Sequence, residues 1–140
     1  MANLSAMVEY DRLYPIKVKN PYGEDTGIVI NVVSKDSRRV VDALRKAQGE
    51  YWSALARGDA ADVPDVEYIT LLHCIDSWDW GEHEWDHIKG SGPASLEDRE
   101  YILKHPNAKW VKDNIAAGTA NLENFSQPSQ KIARRGSKKT

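Results

Sequence analysis

The chain reads as an α+β protein, mostly α, with an N-terminal β-hairpin followed by about four helices and a flexible basic C-terminal tail. Three observations predict this. Residues 14–34 alternate apolar and polar side chains around a turn-rich centre, residues 36–58 carry an apolar stripe at helical spacing, and the last ten residues are polar and basic.

In YPIKVKN, Ile16 and Val18 fall on one face and Lys17 and Lys19 on the other, the period of two of a half-buried strand. Asn20 to Asp25 concentrates turn formers, with Pro21 and Gly23 as punctuation. TGIVINVVS then supplies a β-branched strand with Ile28, Ile30 and Val32 on one side. A two-stranded hairpin is marginal alone, so it must pack on a helix or pair with another chain's strand. Asp36 or Ser37 is placed to cap the helix that follows. Val40, Leu44, Ala47, Tyr51 and Leu55 form its inward stripe, Gly49 weakens its middle, and Gly58 stops it.

Residues 1–58 are thus a hairpin plus a long amphipathic helix. GDAADVPD (58–65) links them to a helical region, 59–126, packed on the first half within one domain. From Val66, EYITLLHCIDSW reads as a helix with Ile69, Leu72, Cys74 or Ile75, and Trp78 inward. Gly81, Gly90 and Gly92 bracket an irregular stretch, GEHEWDHIKGSGP. Ser95 caps a third helix, with Asp98 at the capping-box position, and His105-Pro106 ends it. A last helix runs from about Ala108, with Trp110, Val111 and Ile115 inward, and resumes beyond Gly118 towards Leu122 and Phe125. Residues 127–140 have the composition of a disordered tail.

Composition narrows the function classes. At 140 residues, 41% hydrophobic and 29% charged, the chain is the size of one domain with a core. No run approaches the roughly 18 apolar residues of a membrane span, and MANLSAMVEYDRLYP does not read as a signal peptide, so a cytosolic protein is expected. The single Cys74 excludes an internal disulfide and a cysteine zinc cluster. Lys131, Arg134, Arg135, Lys138 and Lys139 give the last ten residues +5; removing that from the net −2 leaves −7 on residues 1–130. An acidic body with a short basic end is not the footprint of a nucleic-acid-binding domain. Lys131, Arg134 and Arg135 instead suit docking on an acidic partner. The tryptophans Trp78, Trp80 and Trp85 are either core or contact surface, and are candidate protein-binding residues.

His83-Glu84-Trp85-Asp86-His87 matches H-E-x-x-H, in which two histidines one helical turn apart hold zinc and the glutamate acts as base. The position of a third histidine in the longer motif is Pro93, Gly81 and Gly90 leave only about two helical turns, and the segment is densely acidic. His83 and His87 are therefore weak metal candidates, no cofactor is expected, and the chain does not read as an enzyme. His73 and Cys74 diverge by about 100° on a helix and make no nucleophile–base pair.

Two stretches carry a family resemblance. IKVKNPYGEDTGIVINVVSKDSRRVVDALRKAQ, with Pro21, Gly23, Thr26-Gly27, Asp36 and Ser37, resembles the N-terminal segment of tail assembly chaperones from long-tailed bacteriophages. The order that follows is similar to the same group: an apolar helix ending at Trp78–Gly81, a loop, a capped helix from Ser95 to Pro106, and a tryptophan-containing helix closing at Asn124-Phe125. The resemblance covers roughly residues 14–126 and rests on order and spacing. It implies a protein of the host bacterial cytoplasm that binds the tape-measure protein, the tail-tube protein or both and keeps them soluble during assembly, with self-association as a further option. The rival expectations are a structural tail or connector protein retained in the virion, and a small zinc metallopeptidase acting through His83, Glu84 and His87.

Overall fold

The computed structural model describes residues 4–126. After a short 3-10 turn at Leu4–Ala6, strands β1 (Tyr14–Lys19) and β2 (Asp25–Val32) form the expected hairpin, and helix α1 (Arg38–Ala56) follows. Helix α2 (Val66–Cys74) leads without a loop into strand β3 (Ile75–Trp85), which turns back as β4 (Ile88–Pro93). Helices α3 (Leu96–Lys104) and α4 (Lys109–Ala120) and a 3-10 turn at Leu122–Phe125 complete the order.

The sheet is a four-stranded antiparallel meander, β1-β2-β3-β4, where one hairpin and an all-helical second half were expected. The error lies at Ile75. Leu72, Ile75 and Trp78 have helical spacing, but the next residues alternate: Trp78 and Trp80 are buried while Asp79 is exposed. That period of two belongs to a strand, and β2 offers it a partner edge, pairing Ile30 with Trp78 and Asn31 with Ser77. The glycines read as loop brackets are hairpin residues. Gly81 (φ 60°) sits where the β3–β4 register slips between Asp79 and Glu84. The β2–β3 pairing also joins the two sequence halves in one sheet.

One sheet face is apolar. Ile16, Val18, Ile28, Ile30, Val32, Trp78, Trp80 and Ile88 meet Leu71, Ile102, Val111 and Ile115 of the helices in one core. The other face carries Pro15, Lys17, Asp79, Ser91 and Pro93, all exposed. Helix α4 lies on β1 and β2, and runs unbroken through Gly118, whose missing side chain leaves room for Ile16. Helix α1 packs on α2, outside this layer.

The cap of α1 is a second correction. Ser37 occupies the N-cap position, yet its hydroxyl makes no cap bond and is buried without a partner. The Arg38 amide donates instead to the carboxylate of Asp11, 2.7 Å away and 27 residues upstream. In α3 the expected cap is present, Ser95 accepting from the Asp98 amide at 3.2 Å.

Candidate functional site

Of the three candidate tryptophans, two are core. Trp78 is 5% and Trp80 1% exposed, and their rings meet edge-on at 5.6 Å. On the folded chain they offer no contact area. Trp85 is half-buried, packing on His105 (5.3 Å) and Trp110 (6.0 Å). Lys131, Arg134 and Arg135 lie outside the described residues.

The H-E-x-x-H residues are in a hairpin, not a helix. His83 and Glu84 stand on β3, and His87 lies past the turn apex at Asp86, which takes a left-handed φ of 55°. Aspartate is among the few side chains that tolerate this conformation. His83 Nε2 is 2.9 Å from the Thr26 carbonyl, and His87 Nε2 is 3.0 Å from Asp98 Oδ1. The Nε2 atom of each ring is thus engaged with the chain, and the two rings are held by different partners, Thr26 and Asp98. Among the described residues no group of three or more histidine, cysteine or acidic side chains is placed to share a metal ion.

The residues of that motif anchor the hairpin tip to α3. The Tyr101 hydroxyl donates to the Asp86 carboxylate, and His105 Nε2 points at the same carboxylate from 3.5 Å. His105 Nδ1 accepts from the Asn107 amide, so the proton of the neutral ring sits on Nε2, facing Asp86. The His87 ring stacks on Tyr101 at 4.8 Å. The hydrogen bond to Asp86 holds the Tyr101 phenol above its ordinary value, with smaller contributions from desolvation and the carboxylate charge. The cleft beside the tip, between Glu84, Trp85, Asp86, His105 and Asn107, is open to solvent. Its chemistry is positional: two histidine–carboxylate pairs and a tyrosine fix the tip.

Cys74 is fully buried, and burial pushes its thiol up to about 12, the reverse of a reactive cysteine. Its neighbour His73 is held below its ordinary value by burial first and then by Arg99 and Arg39. Arg99 spans the junction of α2 and β3, its guanidinium donating to the Leu72 carbonyl at 2.8 Å and the Ile75 carbonyl at 3.3 Å. These carbonyls end a helix that has no loop in which to find water.

The free edges of the sheet differ. On β1, Pro15 has no N–H to offer, and Asn114 takes both the N–H and the carbonyl of Lys19 at 2.9 Å, so this edge is blunted. Strand β4 is the other edge, paired with β3 alone among the described strands.

The feature that sequence reasoning missed is on α1. Its inward stripe is well covered only at the start: Val40 is buried, while Leu55 is 41% exposed. Trp52 is 66% exposed, and beyond the helix Val63 and Val66 are open as well. Asp59, Asp62, Asp65 and Glu67 are near Val63 and Val66 in sequence, Asp59 being paired with Arg57 at 3.0 Å and Glu67 with Lys112 at 3.2 Å. The signal was in the helix geometry: Trp52 lies 12 residues from Val40, about 120° round the helix from it and about 60° beyond Leu55 at the edge of the stripe. Comparison with family models, with curated proteins and with solved structures finds no match to this chain.

Proposed function

We propose that the chain is a tail assembly chaperone of a long-tailed phage, acting in the host bacterial cytoplasm to hold the tape-measure protein, and with it the tail-tube protein, soluble until polymerisation. The resemblance of residues 16–48 supplies the class; the order matched after it does not stand, because Trp78–Gly81 lie on strand β3 and not at the end of a helix. The observation that carries the reading is the apolar surface at the end of α1. Trp52 and Leu55 stand open on a helix whose one buried residue is Val40, and Val63 and Val66 stand open in the segment after it. Exposed apolar area of this kind marks a contact surface. The acids at positions 59, 62, 65 and 67 of the segment that follows suit an amphipathic client helix whose apolar stripe is flanked by lysine and arginine. A tape measure is a long helical chain whose exposed stripes aggregate unless covered.

The test is co-expression with the tape-measure and tail-tube proteins of the same genome, followed by pull-down and a solubility assay. Capture of either protein, its loss in a Trp52→Ala Leu55→Asp variant, and absence of the chain from finished tails are expected. A chain that binds neither protein sinks the proposal, and one that stays in purified particles is instead a structural tail component.

A further inference from the structure

We propose that the middle of the β1 edge, where it faces α4, takes up an extended acidic segment of a partner protein as a further strand of the sheet. Along β1 the main chain alternates. The Asn20 amide donates to the Glu24 carbonyl at 2.9 Å and the Val18 carbonyl accepts from the Thr26 hydroxyl at 2.8 Å, so even-numbered residues address β2. Odd-numbered residues address the outside, as Lys19 does when its N–H and carbonyl bond Asn114. The Asn114 carboxamide there stands where a residue of a neighbouring strand would. Pro15 and Lys17 point the same way and have no such partner among the described residues. The edge is closed at Lys19 and lacks a donor at Pro15. Between them it offers the Lys17 N–H, the Lys17 carbonyl and the Pro15 carbonyl.

These groups open on a groove of about 560 Å³. The edge of β1 forms one wall; Asn114, Ala117 and Gly118 of α4, with Asn121 and Asn124 beyond it, form the other. A strand laid about 4.8 Å outside β1 enters this groove, and the open stretch from Tyr14 to Lys17 is about 10 Å long, enough for three residues. In the antiparallel sense of the rest of the sheet, one incoming residue exchanges both bonds with Lys17. The residue two positions further on donates to the Pro15 carbonyl.

Charge decides what that segment is. Of the residues that line the groove only Lys17 and Lys19 are charged, in a body that carries −7 over residues 1–130 (the net −2 less the +5 of the last ten). Both are exposed, and neither ammonium group has an ion-pair partner among the described residues. Asp25, opposite Lys19 in the ladder, is turned to the Gly27 amide at 2.9 Å. Lys17 has the uncharged Val29 opposite it, with Asp79 one strand further on. A second copy is the wrong occupant: two β1 edges paired antiparallel about Lys17 set Lys17 against Lys17, with Asn114 in the way. The chain's own last ten residues, five of them basic and none acidic, are repelled as well. A segment with glutamate or aspartate at alternate positions sets one carboxylate beside Lys17, with Lys19 on the diagonal, and its intervening side chains over Ala117. The groove shares no residue with α1, so the inference goes beyond the client reading and does not depend on it.

The test is ¹⁵N NMR of the full chain titrated with a blocked peptide of alternating sequence, acetyl-Glu-Val-Glu-Val-Glu-amide. A saturable shift of the Lys17 amide is expected, with a dissociation constant of about 0.1–1 mM for so short a strand. Lys17→Glu should weaken binding about tenfold or more with unchanged circular dichroism. N-methylation of the peptide leaves the protein untouched. In antiparallel pairing the glutamate N–H groups face β1 and the valine N–H groups face away, so methylating the glutamates should abolish binding and methylating the valines should not. No saturable shift at Lys17 up to about 5 mM peptide overturns the inference. So does binding that survives Lys17→Glu, or that ignores methylation of the glutamates, which is a charge contact without a strand. A Lys17 amide protected from exchange in the peptide-free chain means that the chain or a second copy already covers this edge, and overturns it too. Peptide binding without capture of tape-measure protein keeps this inference and loses the client reading; capture without peptide binding does the opposite.

Discussion

Replacing Gly118 by alanine sets two known effects against each other. Gly118 lies near the end of α4, where alanine should favour the helix by about 1 kcal/mol at most. A Cβ there, however, would stand 2.4 Å from Ile16 Cδ1 and 2.6 Å from Ile16 Cγ1. Ile16 is 6% exposed, and its β-branched side chain has little freedom at χ1, so it cannot simply swing aside. Overpacking of this sort costs about 1–3 kcal/mol, which exceeds the propensity gain. Taking the middle of that cost, about 2 kcal/mol, against a gain of up to about 1 kcal/mol, Gly118→Ala should destabilise by about 1–2 kcal/mol, lowering the urea midpoint by roughly 0.5–1 M at unchanged m. Ile16→Ala alone should cost about 2–5 kcal/mol through the cavity it leaves. In the double variant the new methyl group enters that space, so the pair should be less than additive by about 1 kcal/mol or more. A Gly118→Ala midpoint equal to or above wild type, or strict additivity, refutes the packing of α4 on β1 described above.

Further outcomes follow from single contacts. Asp11→Ala removes the long-range cap of α1 and should cost about 1 kcal/mol in urea melts, whereas Asp36→Ala should cost much less. Arg99→Met strands the Leu72 and Ile75 carbonyls; at a half-exposed site this should cost about 1.5–3 kcal/mol and speed amide exchange at the α2–β3 junction. The native Cys74 thiol should resist a thiol reagent at pH 8 and react at once in urea. His73 has a folded pKa below its unfolded value, so the unfolded chain binds more protons as pH falls. The neutral ring's contribution is complete above about pH 6.5 and is lost below it, and His73→Gln should flatten that part of the acid limb.

The first hairpin and the span of α1 were legible because period and punctuation agreed there: alternation in YPIKVKN, a turn at Asn20–Asp25, then a four-three-four-four stripe. The second hairpin was not, because Ile75 satisfies both periods. Nothing local to IDSW decides between helix and strand; the free edge of β2 decides it, and that edge is more than 40 residues away in sequence. The same distance hid the Asp11 cap. Trp78 and Trp80 were readable as core or surface only once the strand assignment put both on one face. Trp52 was overlooked for the converse reason: a stripe that fits the core draws the eye away from what lies beside it.

His83 and His87 show how far a motif depends on its secondary structure. On a helix, a four-residue separation places two side chains on one face one turn apart. Here β3 carries His83 while the turn at Asp86 carries His87 away from it, so the spacing no longer brings the rings together. The bonds each has made follow from the hairpin: His83 reaches across to the Thr26 carbonyl on β2, and His87 reaches the first turn of α3 at Asp98. Zinc recruitment by both rings together would require rebuilding the tip. The expected outcome is therefore that thermal unfolding is unmoved by excess chelator or by stoichiometric zinc. His87→Ala should lower stability by no more than about 1 kcal/mol, through loss of an exposed ion pair and a ring contact. A midpoint raised several degrees by zinc, and no longer raised in His83→Ala or His87→Ala, would falsify this account of the tip and reopen the hydrolase reading.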